Sequence, residues 1–501
     1  NYFQLFIKVT KMSIKKYFRC KSIESLASEA SHSHSLERTL GAWQLILLGI
    51  GAIIGAGIFV LTGTGAAHAG PAVVLSFVLS GLACACAALC YAELASMIPI
   101  AGSSYTYSYA TMGELPAWFI AGMITLTYGL GAAAVARGWS GYIQSFLTDY
   151  GIIVPLYLSD SMGTIVTDPE TGRDIVTLID LPALLIVLLL TWVVSLGAEA
   201  SAKFNAIVVY IKTAVLLAFV AIGSTKVNPS NWTPFIPENT GEWGQYGFSG
   251  IIAGCGVVFL AYTGFDAVAT AAQETKNPKR DLPIGIIGSL VISALFYIVI
   301  SAVLTGVVSY KELNVAEPMA VAVNAMNLPW FSDVIKIGAI AGLTSVVLVL
   351  IFGIVRIIYT VTHDGLLPKF LAKVDKKRHS PLLLTYACGV IIAVFASVLP
   401  LGDLVKLANF GTLVTFAMVC FGTLYLRIKR PEIKREFRCP MVPVVPVAGM
   451  LLFALILFGL PGKIFAYAGV WVAVLLLIYF GYSRRHSHLL NPKKVTKKAA
   501  K

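Results

Sequence analysis

Long apolar runs, one after another with short polar joints, set the limits on what this chain can fold into. A membrane span needs about 20 mainly apolar residues. Twelve stretches qualify by length, apolarity and bounding Gly, Pro or charge. They run roughly 43–66, 71–96, 116–147, 181–198, 204–223, 248–272, 284–308, 333–361, 382–400, 404–426, 443–460 and 464–482. Lipid offers backbone N–H and C=O groups no partner, so these spans must be helices. A β-barrel would need alternating segments of about ten residues, and these runs do not alternate. The third and eighth spans are long enough to tilt or extend past the bilayer. Composition agrees: 57% of the 501 residues are hydrophobic and 13% charged, with mean hydropathy +0.81. An ordinary soluble domain is about 25% charged, so a soluble enzyme is excluded.

The net charge of +13 could suggest nucleic acid, but its distribution points to membrane orientation. Twelve spans put both termini on one side. The tails and the joints on that side hold 29 Lys and Arg; the opposite joints hold four, Arg173, Lys226, Lys311 and Lys463. By the positive-inside rule the termini are cytoplasmic and the acidic joint 148–180 faces outward, which suits a multi-pass protein of the cell membrane with the lipid bilayer and no nucleic acid as its partner. Residues 1–42 then form an N-terminal tail, 43–482 the membrane domain and 483–501 a basic C-terminal tail. Residues 1–41 do not have the shape of a secretory signal; because the first methionine is Met12, residues 1–11 are left out of the fold reading. The eight cysteines include no CxxC and no cysteine–histidine spacing for zinc, so no metal and no cofactor is expected.

The first span carries "GIGAIIGAGIFVLTG", residues 49–63, in which five of fifteen residues are glycine. Each interior glycine costs a helix roughly 0.5–1 kcal/mol relative to alanine. Gly51-x-x-x-Gly55 can be a helix-packing face. Gly55-Ala56-Gly57 puts small residues in three successive directions, and a break serves it better. The sixth span, "GIIAGCGVVFLAYTGFDAVATAAQE" (250–274), is also glycine-rich. Matching interrupted spans in two halves point to a transporter's substrate site. Five helices per half is an odd number, so the second half lies inverted: repeats at about 43–223 and 248–426, with spans 443–482 added.

A break frees main-chain groups in mid-membrane. The new half-helix carries about +0.5 charge and N–H donors at its start, which suits a carboxylate; the carbonyls before it suit an ammonium. The N–H groups of Ala56, Gly57 and Ile58 are therefore assigned to the carboxylate of an α-amino acid. The carbonyls near Ile53 and Ile54, with those of Phe259 and Ala261, are assigned to its amino group.

These stretches, with "YAELASMIPIAGSSYTYSY" (91–109), "AYTGFDAVATAAQETKNPKRDLPIGI" (261–286) and "RIIYTVTHDGLLP" (356–368), resemble the amino acid–polyamine–organocation superfamily over roughly residues 36–485. They are most like its cationic amino acid transporter branch. The resemblance implies the all-α, five-plus-five inverted-repeat (LeuT-like) fold with helices 1 and 6 broken, and alternating access. It also implies a site at Gly55-Ala56-Gly57, an aromatic cap from Phe259 or Tyr262, and contacts from Thr344, Ser345 and Val347 of the eighth span. Leu260 stands where close relatives often carry an aromatic. Cationic transporters of the branch commonly carry a glutamate on the third helix in a run like L-E-Y; here the run is "LTYG", with Thr127 in that place. This shifts the expected substrate toward neutral or a broad range of L-amino acids, with cationic amino acids or exchange as the alternative.

Lys212 of the fifth span lies about 12 Å into the bilayer at 1.5 Å per residue, where a charge is costly and marks function by default. In proton-coupled members of the superfamily a lysine similarly placed stands where sodium-coupled relatives bind an ion. Lys212 is accordingly assigned to proton coupling, the other reading being a static lysine bonded to carbonyls of the first and eighth helices. Glu93 and Arg356, both near inner span ends, form either an inner gate or a structural pair. A channel would need filter loops or charged rings and a membrane enzyme a catalytic motif; the chain has neither.

Overall fold

The computed structural model describes residues 19–21, 40–98, 103–168, 172–196, 198–315, 317–375 and 380–489, without the side chains of 198–206 and 273–274. Most of the N-terminal tail, the last twelve residues of the C-terminal tail and the joint positions 376–379 lie outside the described residues. Among the described residues eight helical stretches are long and apolar enough to cross a membrane: Ala42–Met97, Glu114–Asp149, Ile207–Ser224, Gly247–Ala272, Pro278–Val307, Pro329–His363, Leu401–Lys429 and Gly462–His486. Shorter apolar helices occupy Leu181–Ser195, Leu382–Val398 and Val444–Phe458.

The first stretch is divided into α1 (Ala42–Ile53), a wide π-turn (Gly57–Leu61) leading into α2 (Thr62–Ala69), and α3 (Val73–Met97). The division before α3 falls at Gly70, whose φ of +64° favours glycine, with Pro71 at the next turn's start. A short buried helix, α4 (Ser103–Thr111), precedes α5 (Glu114–Asp149); its hydroxyl-rich sequence gave no helical period to read. Then follow α6 (Leu181–Ser195), α7 (Ala198–Ser224), α8 (Gly247–Val258), α9 (Pro278–Val307), α10 (Pro318–Ala325), α11 (Pro329–His363), α12 (Leu382–Val398), α13 (Leu401–Lys429), α14 (Val444–Phe458) and α15 (Gly462–Ile478). Proline at the first or second position opens α6, α9, α10 and α11, where its missing N–H would be unsatisfied in any case.

Small residues let these helices approach, as expected where packing rather than water exclusion drives association. Tyr128 of α5 lies against Gly353 of α11, where a Cβ would come within 2.7 Å of its ring, and Gly49 of α1 receives Ser289 of α9. Gly49 is thus a packing glycine. The periphery is apolar and outward-facing: only 22% of the α15 window is buried.

The joint after α5 holds a hairpin absent from the sequence reading, Ile165–Thr167 (β1) paired antiparallel with Asp174–Val176 (β2). Its anchor is Arg137 of α5, whose guanidinium bonds Asp160 and, at 2.5 Å, Asp180. Asp180 also caps α6, accepting from the Ala183 N–H at 2.9 Å. At the opposite face, the first and last described segments meet. Lys21 pairs with Asp364 at 3.2 Å, and the Asp364 carbonyl accepts from the His488 N–H at 3.2 Å.

Candidate substrate site

Both glycine-rich helices are interrupted. α1 ends at Ile53, and Ile54 is extended (φ −75°, ψ 103°). The Gly55 carbonyl accepts from the Ile58 and Phe59 N–H groups, both at 3.2 Å, so a new half-helix starts at Ala56, with the Ala56 and Gly57 N–H groups at its head. The π-turn widens the chain after the break. Thr62 Oγ1 donates to the loosened carbonyls of Gly57 (3.2 Å) and Ile58 (3.1 Å). In the second helix α8 gives way to a tight 3₁₀ turn, Phe259–Tyr262. Thr263 is extended (φ −64°, ψ 133°). Gly264 takes φ +125°, open only to glycine, and a Cβ there would lie 2.9 Å from the Ala52 carbonyl carbon and oxygen.

The two interruptions touch. A Cβ on Gly57 would lie 2.2 Å from Ala261 Cβ and 2.4 Å from Ala261 Cα, so Gly57 lies directly against Ala261 with no room for a side chain of its own. Side chains from other helices clamp the freed carbonyls. The Tyr297 hydroxyl of α9 lies 2.7 Å from the Ile53 oxygen and 2.8 Å from the Ala261 oxygen, sharing its proton between both breaks. Lys212 of α7 donates to the carbonyls of Gly51 (2.7 Å) and Ile54 (2.6 Å) and to Ser345 Oγ of α11 (3.3 Å). Tyr142 of α5 donates to the Phe59 carbonyl at 2.6 Å.

Beside the Gly57–Ala261 contact is a cavity of about 20 Å³ lined by Ala52, Ile53, Ala56, Gly57, Thr127, Gly131, Val135, Leu260, Thr263, Val346 and Leu350. That is room for about one water molecule, so this conformation is closed on its site. No charged side chain lines it. Thr263 Oγ1 is buried without a hydrogen-bond partner. Thr127 Oγ1 donates weakly to the Ala408 carbonyl at 3.3 Å.

Several residues singled out from the sequence converge here. Ile53, Ala56, Gly57 and Thr127 line the cavity, and Gly55 backs it against Val346. The Ala261 and Ile54 carbonyls and Ser345 belong to the Tyr297 and Lys212 clamps, and the Ile58 N–H turns inward to Gly55 rather than into the gap. Others point elsewhere. Phe259 packs on Phe416 and Phe453, and the Tyr262 hydroxyl donates to the Phe77 carbonyl at 2.8 Å, so neither ring lines the cavity; Leu260 does. Thr344 accepts from Trp139 Nε1 at 2.9 Å, and Val347 is buried, while their neighbours Val346 and Leu350 reach the cavity. The expected Glu93–Arg356 pair is corrected. Glu93 is held bidentately by Arg427 (2.9 and 2.7 Å), by Arg435 (3.0 Å) and by the Cys439 N–H (2.8 Å), because the chain after α13 folds back under α3. The Arg356 guanidinium lies 4.0 Å from the centre of the Phe352 ring. Tyr297, Thr263 and Asp266 were not assigned from sequence; Asp266 accepts from the Tyr128 hydroxyl at 2.7 Å and from the Gly264 N–H at 3.2 Å.

A bundle of apolar helices in which two unwound helices meet beside a small cavity is the architecture of a multi-pass membrane transporter. The chain belongs to the amino acid permease family, which it matches over residues 40–480. It is 43% identical over 473 residues to the branched-chain amino acid permease BcaP of Bacillus subtilis (strain 168), covering 94% of this chain and 98% of that protein. It is also 43% identical over 475 residues to the methylthioribose transporter of the same organism, covering 95% and 99%. Cationic amino acid transporter 4 of Homo sapiens is 36% identical over 421 residues, covering 83% and 63%.

Proposed function

We propose that this chain is a secondary active permease for neutral aliphatic L-amino acids, working by alternating access and driven by protons. The observation that carries the reading is the cavity itself, which offers main-chain ends for a zwitterion's two charges and only apolar or hydroxyl side chains for the rest. A pocket for an arginine or lysine side chain would need a carboxylate. Asp266, beside the second break, is already engaged by Tyr128 and Gly264. The similarity to a branched-chain amino acid permease points the same way. We read the helices as twelve spans, five plus five inverted with two added, in the cell membrane. The meeting of the two ends of the described chain at Asp364 fits termini on one face, and the cation excess makes that face cytoplasmic.

In this reading the Ala56 and Gly57 N–H groups receive the carboxylate. The Ile53 and Ala261 carbonyls, each with a second lone pair beside the one used by Tyr297, receive the ammonium. Lys212 is the proton carrier: its ammonium ties the first helix to α11, and giving up the proton weakens that tie. Proteoliposomes loaded at pH 7.5 and placed at pH 5.5 should accumulate labelled leucine or valine, and excess arginine should not compete. Lys212→Met should abolish the pH-driven part; unaltered accumulation would leave Lys212 a static strut. A second reading, an uncharged thioether sugar as cargo, is favoured by the equal identity to a methylthioribose transporter. Competition by methylthioribose but by none of the twenty amino acids would select it.

A further inference from the structure

We propose that the groove between the first turns of α9 and residues 436–437 is a binding site for an anionic phospholipid. The groove encloses about 700 Å³, and its wall changes character along α9. Lys279 and Arg280 stand in the first turn; Pro283, Ile284, Ile287 and Gly288 follow, with Phe437 opposite. From Lys279 to Gly288 the helix rises roughly 13 Å at 1.5 Å per residue. A phospholipid is divided in the same order, with a charged head at the water boundary and acyl chains directly beneath. Ile284 is 38% exposed, apolar surface that a chain lying in the slot would cover.

The charges complement an anion. Glu436 is the one acidic group in the wall, and it is engaged by Lys279 at 3.3 Å and Lys434 at 3.4 Å. Hydrogen bonds from these two lysines hold its carboxyl below the usual carboxylate range. Within the wall two cations, Lys279 and Arg280, stand against this one carboxylate, and Lys434 outside it adds a third positive charge nearby. Arg280 is exposed and has no carboxylate partner among the described residues. Its planar guanidinium is the group that can take a phosphate through two parallel hydrogen bonds. A soluble phosphate would use the head end alone and leave the apolar slot uncovered.

The test measures lipid retained by the purified full chain after exchange against vesicles of equal phosphatidylglycerol and phosphatidylcholine, by native mass spectrometry. Phosphatidylglycerol should be retained in preference. Arg280→Ala should lower that retention roughly five-fold, the worth of one interfacial cation. Lys463→Ala, an equal charge change in the first turn of α15, should leave it unchanged. Ile287→Trp, which fills the slot, should also lower it, and soluble glycerol phosphate should not compete. Equal retention of the two lipids would overturn the proposal. So would equal losses in the Arg280 and Lys463 variants, or full competition by glycerol phosphate.

Discussion

At the scale of single residues, the site depends on what is missing from glycine. Gly57→Ala must push Ala261 away by more than an ångström, because the Cβ would sit 2.4 Å from a backbone carbon that has no rotamer to change. Uptake should fall by an order of magnitude or more with the protein still inserted, and Ala261→Gly should not rescue it, since the Cα remains. Wild-type uptake in Gly57→Ala would mean the breaks do not touch during transport. Tyr297→Phe removes the hydroxyl shared by both breaks and should destabilise the protein by about 0.6–1.5 kcal/mol, read as a lower melting temperature in detergent together with slower uptake. Thr263→Val should be nearly neutral for stability, since its hydroxyl has no partner to lose; a changed order of substrate preference would identify it as a cargo contact.

At the scale of elements, the sequence carried the breaks but not the direction of every side chain beside them. Gly55-Ala56-Gly57 was legible because three small neighbours fit no single packing face. The cap residue was less so: Phe259 and Tyr262 were carried from a resemblance, which also marked Leu260 as the place of an aromatic, and in the 3₁₀ turn Phe259–Tyr262 it is Leu260 that reaches the cavity. On the eighth span Thr344, Ser345 and Val347 were carried from a resemblance; in this closed conformation Ser345 joins the Lys212 clamp, and Val346 and Leu350 reach the cavity. Tyr297 was hidden because a tyrosine in an apolar span reads as ordinary core. Glu93 was paired with the wrong arginine because Arg427 and Arg435 lie more than 330 residues away and meet it only through a turn the sequence does not announce. Glu93→Gln should cost about 3 kcal/mol, the low end for breaking a buried ion cluster because Arg427 is 25% exposed. Loss of less than about 1 kcal/mol in thermal unfolding would show the cluster to be ornamental.

For the whole molecule, apolar length and charge asymmetry made the helical membrane class legible from the sequence alone. The hairpin at Ile165–Thr167 and Asp174–Val176 was not, since two three-residue strands leave too short a pattern. Orientation is tested by labelling a single introduced cysteine in a background with the eight natural ones replaced. Position 165 should react with a membrane-impermeant thiol reagent added outside and position 376 only from inside; the opposite result would invert the assignment of faces.

The abutment of Gly57 on Ala261 has a mechanical corollary. With only the Ala261 methyl at the contact, the two segments can roll over each other without any rotamer having to swing clear. Resistance to that rolling comes from the tyrosine and lysine tethers at the rim rather than from the bearing surface. In the reading proposed above, those tethers set turnover speed, and because the tyrosine hydroxyl shares its two carbonyls with the cargo's amino group, altering it should shift speed and grip together.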